Sequence, residues 1–439
     1  MAPEYVRPDA PVAASFDGGP SGVAGGAFAA DIQWRGFFSD PRLKRLIEVA
    51  LENNRDLRAA WLSIEQARAL YQIQRADRLP TVNLGASGLR QPGPNGGMTS
   101  TYQVGLSVTA FEFDFFGRIK SLSDAALAQY LGTEEAQKTV QIALIAAVAN
   151  TYLDLLADDE LLEVTRQALR TREESLKLTK LMFDNGAVSE LDYRQAQSLI
   201  ESARVTLAQL MRRRALDHNA LVLLLGQPMP ADLPAGQSVM KQELLPDLPV
   251  GLPSEVLTRR PDIRQAEQQL IAANANIGAA RAAFYPRISL TAGAGIASRE
   301  LSGLFNNGAF AWTMAPQLLL PIFDSGRNKA NLGGTEAGRD IAVAQYEQAI
   351  QSAFREVSDA LASRATLVDE VRAQRAQVDA EAARFRLADL RYKNGAASYL
   401  DVLDAQRSLF SAQQAVVQVQ TAQVQNLVTL YKVLGGGWK

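Results

Sequence analysis

The spacing of apolar positions changes several times along this chain of 439 residues, and the changes come in the same order twice. From Pro41 to about Arg78, Leu43, Leu46, Ile47, Ala50, Leu57, Trp61, Ile64 and Ala67 recur at helical spacing, with one interruption near Asn53-Asn54. After Pro80 the period falls to two. Val82, Leu84 and Ala86 alternate with Asn83, Gly85 and Ser87. Beyond the turn-rich run from Pro92 to Gly97, Tyr102, Val104, Leu106, Val108 and Ala110 alternate with Gln103, Gly105, Ser107 and Thr109, so a β-hairpin is expected over 81–114. Helical spacing without proline then returns over 118–225, broken only at Asn185-Gly186, which predicts a helical hairpin.

The second half repeats the series. A helix over 259–285 leads to alternation at Ile288, Leu290, Ala292 and Ala294, then at Phe310, Trp312, Met314 and Leu318 after a loop from Ser302 to Gly308, giving a second β-hairpin over 286–323. A second helical hairpin is expected over 327–434, turning at Asn394-Gly395. Residues 1–40, with Pro3, Pro8, Pro11 and Pro20, read as an extended arm, 41–80 as helical, and 226–258, with Pro228, Pro230, Pro234, Pro246, Pro249 and Pro253, as an irregular connector. The register of the repeat is strict: Phe183 to Asp192 returns 209 positions later as Tyr392 to Asp401, and Gly117 returns as Gly326 at the same distance. Arg75, Pro80 and Leu84 return as Arg281, Pro286 and Leu290 at a distance of 206. A period that long marks a duplicated half rather than a solenoid unit.

A helix of some 65 residues spans roughly 100 Å, and no compact globule needs one. Strands of about ten residues have the length and alternation of a transmembrane β-barrel, but four strands leave two unpaired edges. A membrane penalises each unpaired backbone group, so closure must come from further copies of the chain, with eight strands from two copies or twelve from three. A water-soluble sandwich fits the alternation alone equally well; the long helices favour the barrel. The competing readings are a soluble, coiled-coil-rich scaffold and, more distantly, an enzyme.

Composition narrows the chemistry. The chain has no cysteine and one histidine, His218, and its formal net charge is −2. Thiol nucleophiles, structural zinc sites and a nucleic-acid footprint are therefore not expected, and no cofactor or metal is called for. No run of 18 apolar residues suggests a transmembrane helix. Gly293-Ala294-Gly295 resembles a dinucleotide loop only in part, because Ser298 stands at the third glycine position; small lumen-facing residues explain it better.

Several motifs together resemble a known family. Each half carries Asp-(Phe)-x-Gly-Arg after a strand, at Asp114 to Arg118 and Asp324 to Arg327, and Gly-Ala-x-Ser-x-Leu-Asp at the helical turn. With Arg259-Arg260-Pro261-Asp262-Ile263 and the terminal Leu434-Gly435-Gly436-Gly437-Trp438, the ordered set is similar to the TolC-type outer-membrane factors, in the OprM-like branch serving RND multidrug efflux pumps of Gram-negative bacteria. The resemblance covers nearly the whole chain. It implies an α+β membrane protein: a homotrimer forming one 12-stranded β-barrel, four strands per chain, continued by a long α-helical barrel through the periplasm, with a mixed equatorial domain. It implies no catalysis, but passive conduction of drugs and other small molecules from a periplasmic membrane-fusion adaptor and an inner-membrane RND transporter to the exterior. Members of this branch usually begin with a lipidated cysteine before a segment like Pro3 to Pro8; here Met1-Ala2 stands instead, which reads as an engineered start of a natively lipid-anchored chain.

Candidate gate residues follow. Leu400 and Asp404 lie one helical turn apart, with Arg407 next on that face. Repeated around a narrow aperture they would make a leucine ring beside an aspartate ring, able to gate by dewetting and by charge, and sensitive to pH through repulsion between carboxylates. The resemblance points to the same positions as the periplasmic constriction. Asp192 and Asp401 join the candidate gate, although Ser189-x-x-Asp192 and Ser398-x-x-Asp401 also fit a helix-capping pattern. Asp404 escapes that explanation, since its counterpart in the first half is Gln195. Asn185, Gly186, Ala187, Ser189, Asn394, Gly395, Ala396 and Ser398 form the turns, and the resemblance implies that these tips touch the adaptor.

Overall fold

The computed structural model describes residues 1–13, 15–16, 29–92, 97–242, 258–306 and 310–438. Pro20, the turn residues Pro94 to Gly96, the connector prolines Pro246, Pro249 and Pro253, and the loop residues Asn307 and Gly308 lie outside them. The elements in order are α1 (Trp34–Phe37), α2 (Pro41–Asn53), α3 (Arg55–Ala76), β1 (Val82–Pro92), β2 (Met98–Phe113), α4 (Arg118–Asp184), α5 (Glu190–Leu225), α6 (Pro261–Ala282), β3 (Arg287–Ser298), β4 (Phe310–Leu319), α7 (Arg327–Lys393) and α8 (Tyr399–Val433). The chain divides into two compact units. One holds 1–9, 62–135 and 264–349; the other holds 10–61, 136–263 and 350–439.

The first unit contains one antiparallel sheet in the order β1-β2-β3-β4, so β1 and β4 are its edges. Pro316 sits in edge strand β4, where a missing ladder donor is tolerated. No second sheet covers this one among the described residues. Leu84, Leu106, Phe310, Trp312, Met314 and Leu318 are each more than half exposed, a surface that a water-soluble sandwich would bury. The sandwich reading therefore fails.

Two details depart from the simple alternation. β2 has 16 residues and begins at Met98 rather than near Tyr102, because Met98 to Thr101 pair with Pro92 to Leu89. Regular pairing of β2 with β3 also stops at Val108 and resumes at Phe111. Ala110 takes φ 51°, and its N–H donates to Thr291 Oγ1 at 3.1 Å, so it sits in a bulge rather than on the Val108 face. The Gly-Ala-Gly run has a tighter cause than lumen space. Gly295 faces Gly105 across the ladder, and a Cβ on Gly295 would stand 2.2 Å from the Val104 carbonyl oxygen.

The repeated Asp-(Phe)-x-Gly-Arg motif starts a helix. Asp114 accepts from the N–H groups of Ile119 and Lys120, and Asp324 from those of Gly326 and Asn328. Gly117 and Gly326 supply the positive φ of the turn, 70° and 86°. Arg118 binds Glu112 through two bonds of 2.8 and 2.7 Å, tying the end of β2 to the start of α4. Alanines 125, 128, 272 and 275 let α4 and α6 approach closely. The N-terminal segment lies on α6, where Tyr5 and Arg7 both donate to Glu267 and Asn274 donates to the Pro3 carbonyl.

The second unit has the larger core, with Phe37, Leu46, Ile47, Tyr152, Leu153, Leu225, Val428 and Tyr431 packed together. Phe37 stacks on Tyr431 at 3.9 Å between ring centroids, and Tyr152 donates to Asp40, which caps α2. Burial pushes both phenols well above their ordinary range. Buried Arg260 explains the Arg-Arg-Pro-Asp run: it binds Asp262, Glu356 and the Val433 carbonyl that ends α8. The terminal glycines are needed for the same closure, since a Cβ on Gly436 would lie 2.1 Å from the Tyr431 ring. α4 includes a window apolar enough to cross a bilayer by composition, which the sequence reading did not anticipate; 56% of that window is buried within the protein.

Candidate functional site at the helical tips

Both helical hairpins turn within the second unit, and local sequence dictates how. α4 ends in Gly186 at φ 70°, with the Gly186 and Ala187 N–H groups donating to the carbonyls of Phe183 and Met182. α7 ends in Gly395 at φ 69°, with Gly395 and Ala396 donating to Tyr392 and Arg391. Asn185 and Asn394 each donate to a carbonyl four residues back at 2.7 Å. Ser189 and Ser398 then open the next helices in complete capping boxes with Asp192 and Asp401. Those two carboxylates are turned back onto their own N-caps.

The tips pack side by side. Ala196 of α5 meets Tyr399, Val402 and Leu403 of α8, with Leu176, Leu199, Phe385 and Tyr392 around them. The Tyr392 hydroxyl donates to Met182 Sδ at 3.6 Å, and Gln406 Nε2 donates to Ser175 Oγ at 3.2 Å, so first-half and second-half hairpins are linked. Burial raises both Tyr399 and Tyr392 above the ordinary phenol range, with nearby Asp192 adding to the effect on each.

Leu400, Asp404 and Arg407 do come together. Leu400 is 53% exposed and borders a cleft between α5 and α8 that Gln195, Ser198 and Arg407 also line. Asp404 pairs with Arg407 at 3.2 Å and, across to α7, with Arg384 in a close contact. Arg384 in turn binds Glu381 at 3.2 Å, and these two carboxylates hold its guanidinium above its usual range. The repulsion expected between aspartates is therefore opposed within each chain by two cations. Arg384 was not among the sequence candidates. Its signal is that it and Asp404 are equidistant from Asn394, the register an antiparallel hairpin brings face to face. Single His218 lies on α5, and no group of three metal-binding side chains forms among the described residues.

The family model described as outer membrane efflux protein matches residues 46–227 and 252–436, one match for each half of the repeat. The chain belongs to the outer membrane efflux protein family. It is similar to the solvent efflux pump outer membrane protein SrpC of Pseudomonas putida, 50% identical over 452 residues covering 100% of this chain and 95% of the relative. Outer membrane protein OprJ of Pseudomonas aeruginosa is 47% identical over 445 residues, covering 100% and 93%. Among solved structures, the open state of the MtrE outer membrane channel of Neisseria gonorrhoeae superposes with TM-score 0.93 at 43% identity, covering 100% of this chain and 98% of that one. As an outer membrane efflux protein, the chain is an exit duct in the outer membrane of a Gram-negative bacterium, and its fold is the barrel-plus-helical-tunnel class expected from the sequence.

Proposed function

We propose that three copies of the chain close one barrel of twelve strands, and that the helical hairpins of each copy wall a periplasmic conduit whose aperture is shut at rest. In segment terms, 81–114 and 286–323 supply the barrel, 118–225 and 327–434 the tunnel wall, 41–80 part of the equatorial region and of the upper tunnel, 259–285 a further helix, and the connector 226–258 with both chain ends the rest of the equatorial region. The single observation that carries this reading is the open four-stranded sheet. Among the described residues its edges β1 and β4 are unpaired and its apolar side chains are exposed, so it needs both lipid and a neighbouring sheet.

The aperture is formed by Leu400, Asp404 and Arg407. The tie from Asp404 to Arg384 holds α8 against α7, and Leu400 protrudes to meet its copies. Asp192 and Asp401 contribute by fixing the tips through their capping boxes rather than by lining the opening. The tips at Asn185 to Ser189 and Asn394 to Ser398 receive a periplasmic adaptor, which is fed by an inner-membrane RND transporter. Cargo consists of small organic molecules, as for the solvent pump that SrpC serves. The duct performs no catalysis, and in its native form it is held to the outer membrane by lipid as well as by the barrel.

Electrophoresis of detergent extracts with and without boiling tests the assembly. A compact, heat-modifiable trimer band is expected. A chain that stays monomeric in plain buffer would overturn the proposal.

A further inference from the structure

A cavity of about 220 Å3 lies between α4, α7 and α8, lined by Thr171, Arg172, Phe385, Gln406, Leu409 and Phe410 among others. Arg172 is only 4% exposed, yet no carboxylate pairs with it among the described residues. One of its five N–H donors reaches the Leu199 carbonyl at 3.0 Å, and the Phe410 ring lies 4.8 Å from its central carbon. Neither contact supplies negative charge. Gln406, 7% exposed, uses its amide nitrogen on Ser175 and leaves Oε1 buried without a partner among the described residues.

We propose that this cavity binds a small monovalent anion together with part of its water, the anion held directly by the Arg172 guanidinium and its water by the Gln406 oxygen. A buried cation without a counter-charge is costly, and an anion beside it removes most of that cost. Burial already pushes the Arg172 guanidinium below its usual range, and the nearby Arg407 pushes it in the same direction, so a negative charge there relieves both effects. The unpartnered Gln406 oxygen accepts and cannot bind the anion itself. A water of the anion's shell donates to it, and at roughly 30 Å3 per water the cavity has room for a halide and several waters. A single guanidinium over the Phe410 ring, in a cavity that Phe385 also lines, suits one charge better than two, which disfavours phosphate and sulfate.

The direct test is anomalous scattering from crystals of the full-length, detergent-solubilised protein soaked in sodium bromide. A bromide peak within hydrogen-bonding reach of Arg172 in every copy is expected. Water alone, an empty cavity, or a neighbouring copy's carboxylate seated on Arg172 would overturn the proposal. In solution, exchanging gluconate for bromide at fixed ionic strength should raise the thermal midpoint in a saturable way. Arg172→Met should need at least about tenfold more bromide for half the effect, and Gln406→Leu roughly threefold more. An identical bromide dependence in wild type and Arg172→Met would contradict it. The crystal readout uses the unaltered chain, so it stands even if a variant fails to fold.

Discussion

The two helical tips have nearly the same backbone and different chemistry. Gly186 and Gly395 take φ 70° and 69°, and both N-caps complete a capping box. At the register of Asp404 and Arg407, however, the first half carries Gln195 and Ser198, and at the register of Arg384 it carries Ser175. The asymmetry runs the other way farther up the hairpins. Buried Asp158, with Asp154, Asp217 and Arg213 around it, corresponds to Leu367, Ser363, Asn426 and Ala422 in the second half. Turn geometry admits few residue types, so duplication preserved it. Lateral faces admit many, and there the halves differ, with the proposed closing element on one of them only.

The largest expected effect tests that separation. Asp404→Ala removes the link from α8 to α7, so the closed-state conductance in planar bilayers should rise several-fold, whereas Gln195→Ala should leave it unchanged. Equal opening by both would mean that the tips are functionally equivalent after all.

The next effect concerns the buried acid cluster. Burial, with help from neighbouring Asp217, pushes Asp158 up to about 7. An unfolded aspartate titrates near 4, so between roughly pH 4 and 7 the folded chain binds the extra proton, and stability falls as pH rises through that window. Asp158→Asn should therefore raise the thermal midpoint by several degrees at pH 8 and hardly at all at pH 5. A shift of the same size at both values would show that Asp158 is ionised in the fold throughout.

Smaller effects probe the shared backbone. Gly186→Ala and Gly395→Ala meet no neighbouring atom within 4 Å, so each should cost only the left-handed strain, about 1–2 kcal/mol. Ser189→Ala and Ser398→Ala should each cost about 1 kcal/mol and raise amide exchange in the first turn of α5 or α8 alike. A tip that responds much more strongly than its counterpart would break the equivalence.

What the sequence disclosed was mainly local. The switch from period two to helical spacing marks the strands and the long helices, because burial on one face leaves that trace at near neighbours. The capping boxes are legible for the same reason, as both partners lie within three residues. The bulge at Ala110 is not legible, since alanine carries no mark of a positive φ and the bulge depends on Thr291 in another strand. Arg384 is legible only through the hairpin register about Asn394, whereas the surroundings of Arg172 depend on how helices from different segments pack, and by sequence it looks like any solvated arginine.

In the proposed aperture copies of the chain converge at Leu400, and the absence of cysteine from the sequence makes this directly measurable. A Leu400→Cys variant in native membranes, treated with a short three-armed maleimide, should yield a covalent trimer on denaturing gels, with no such band when the cysteine replaces Leu191 on the first-half tip. Complete labelling that leaves only monomers at Leu400 would show that the copies do not meet there.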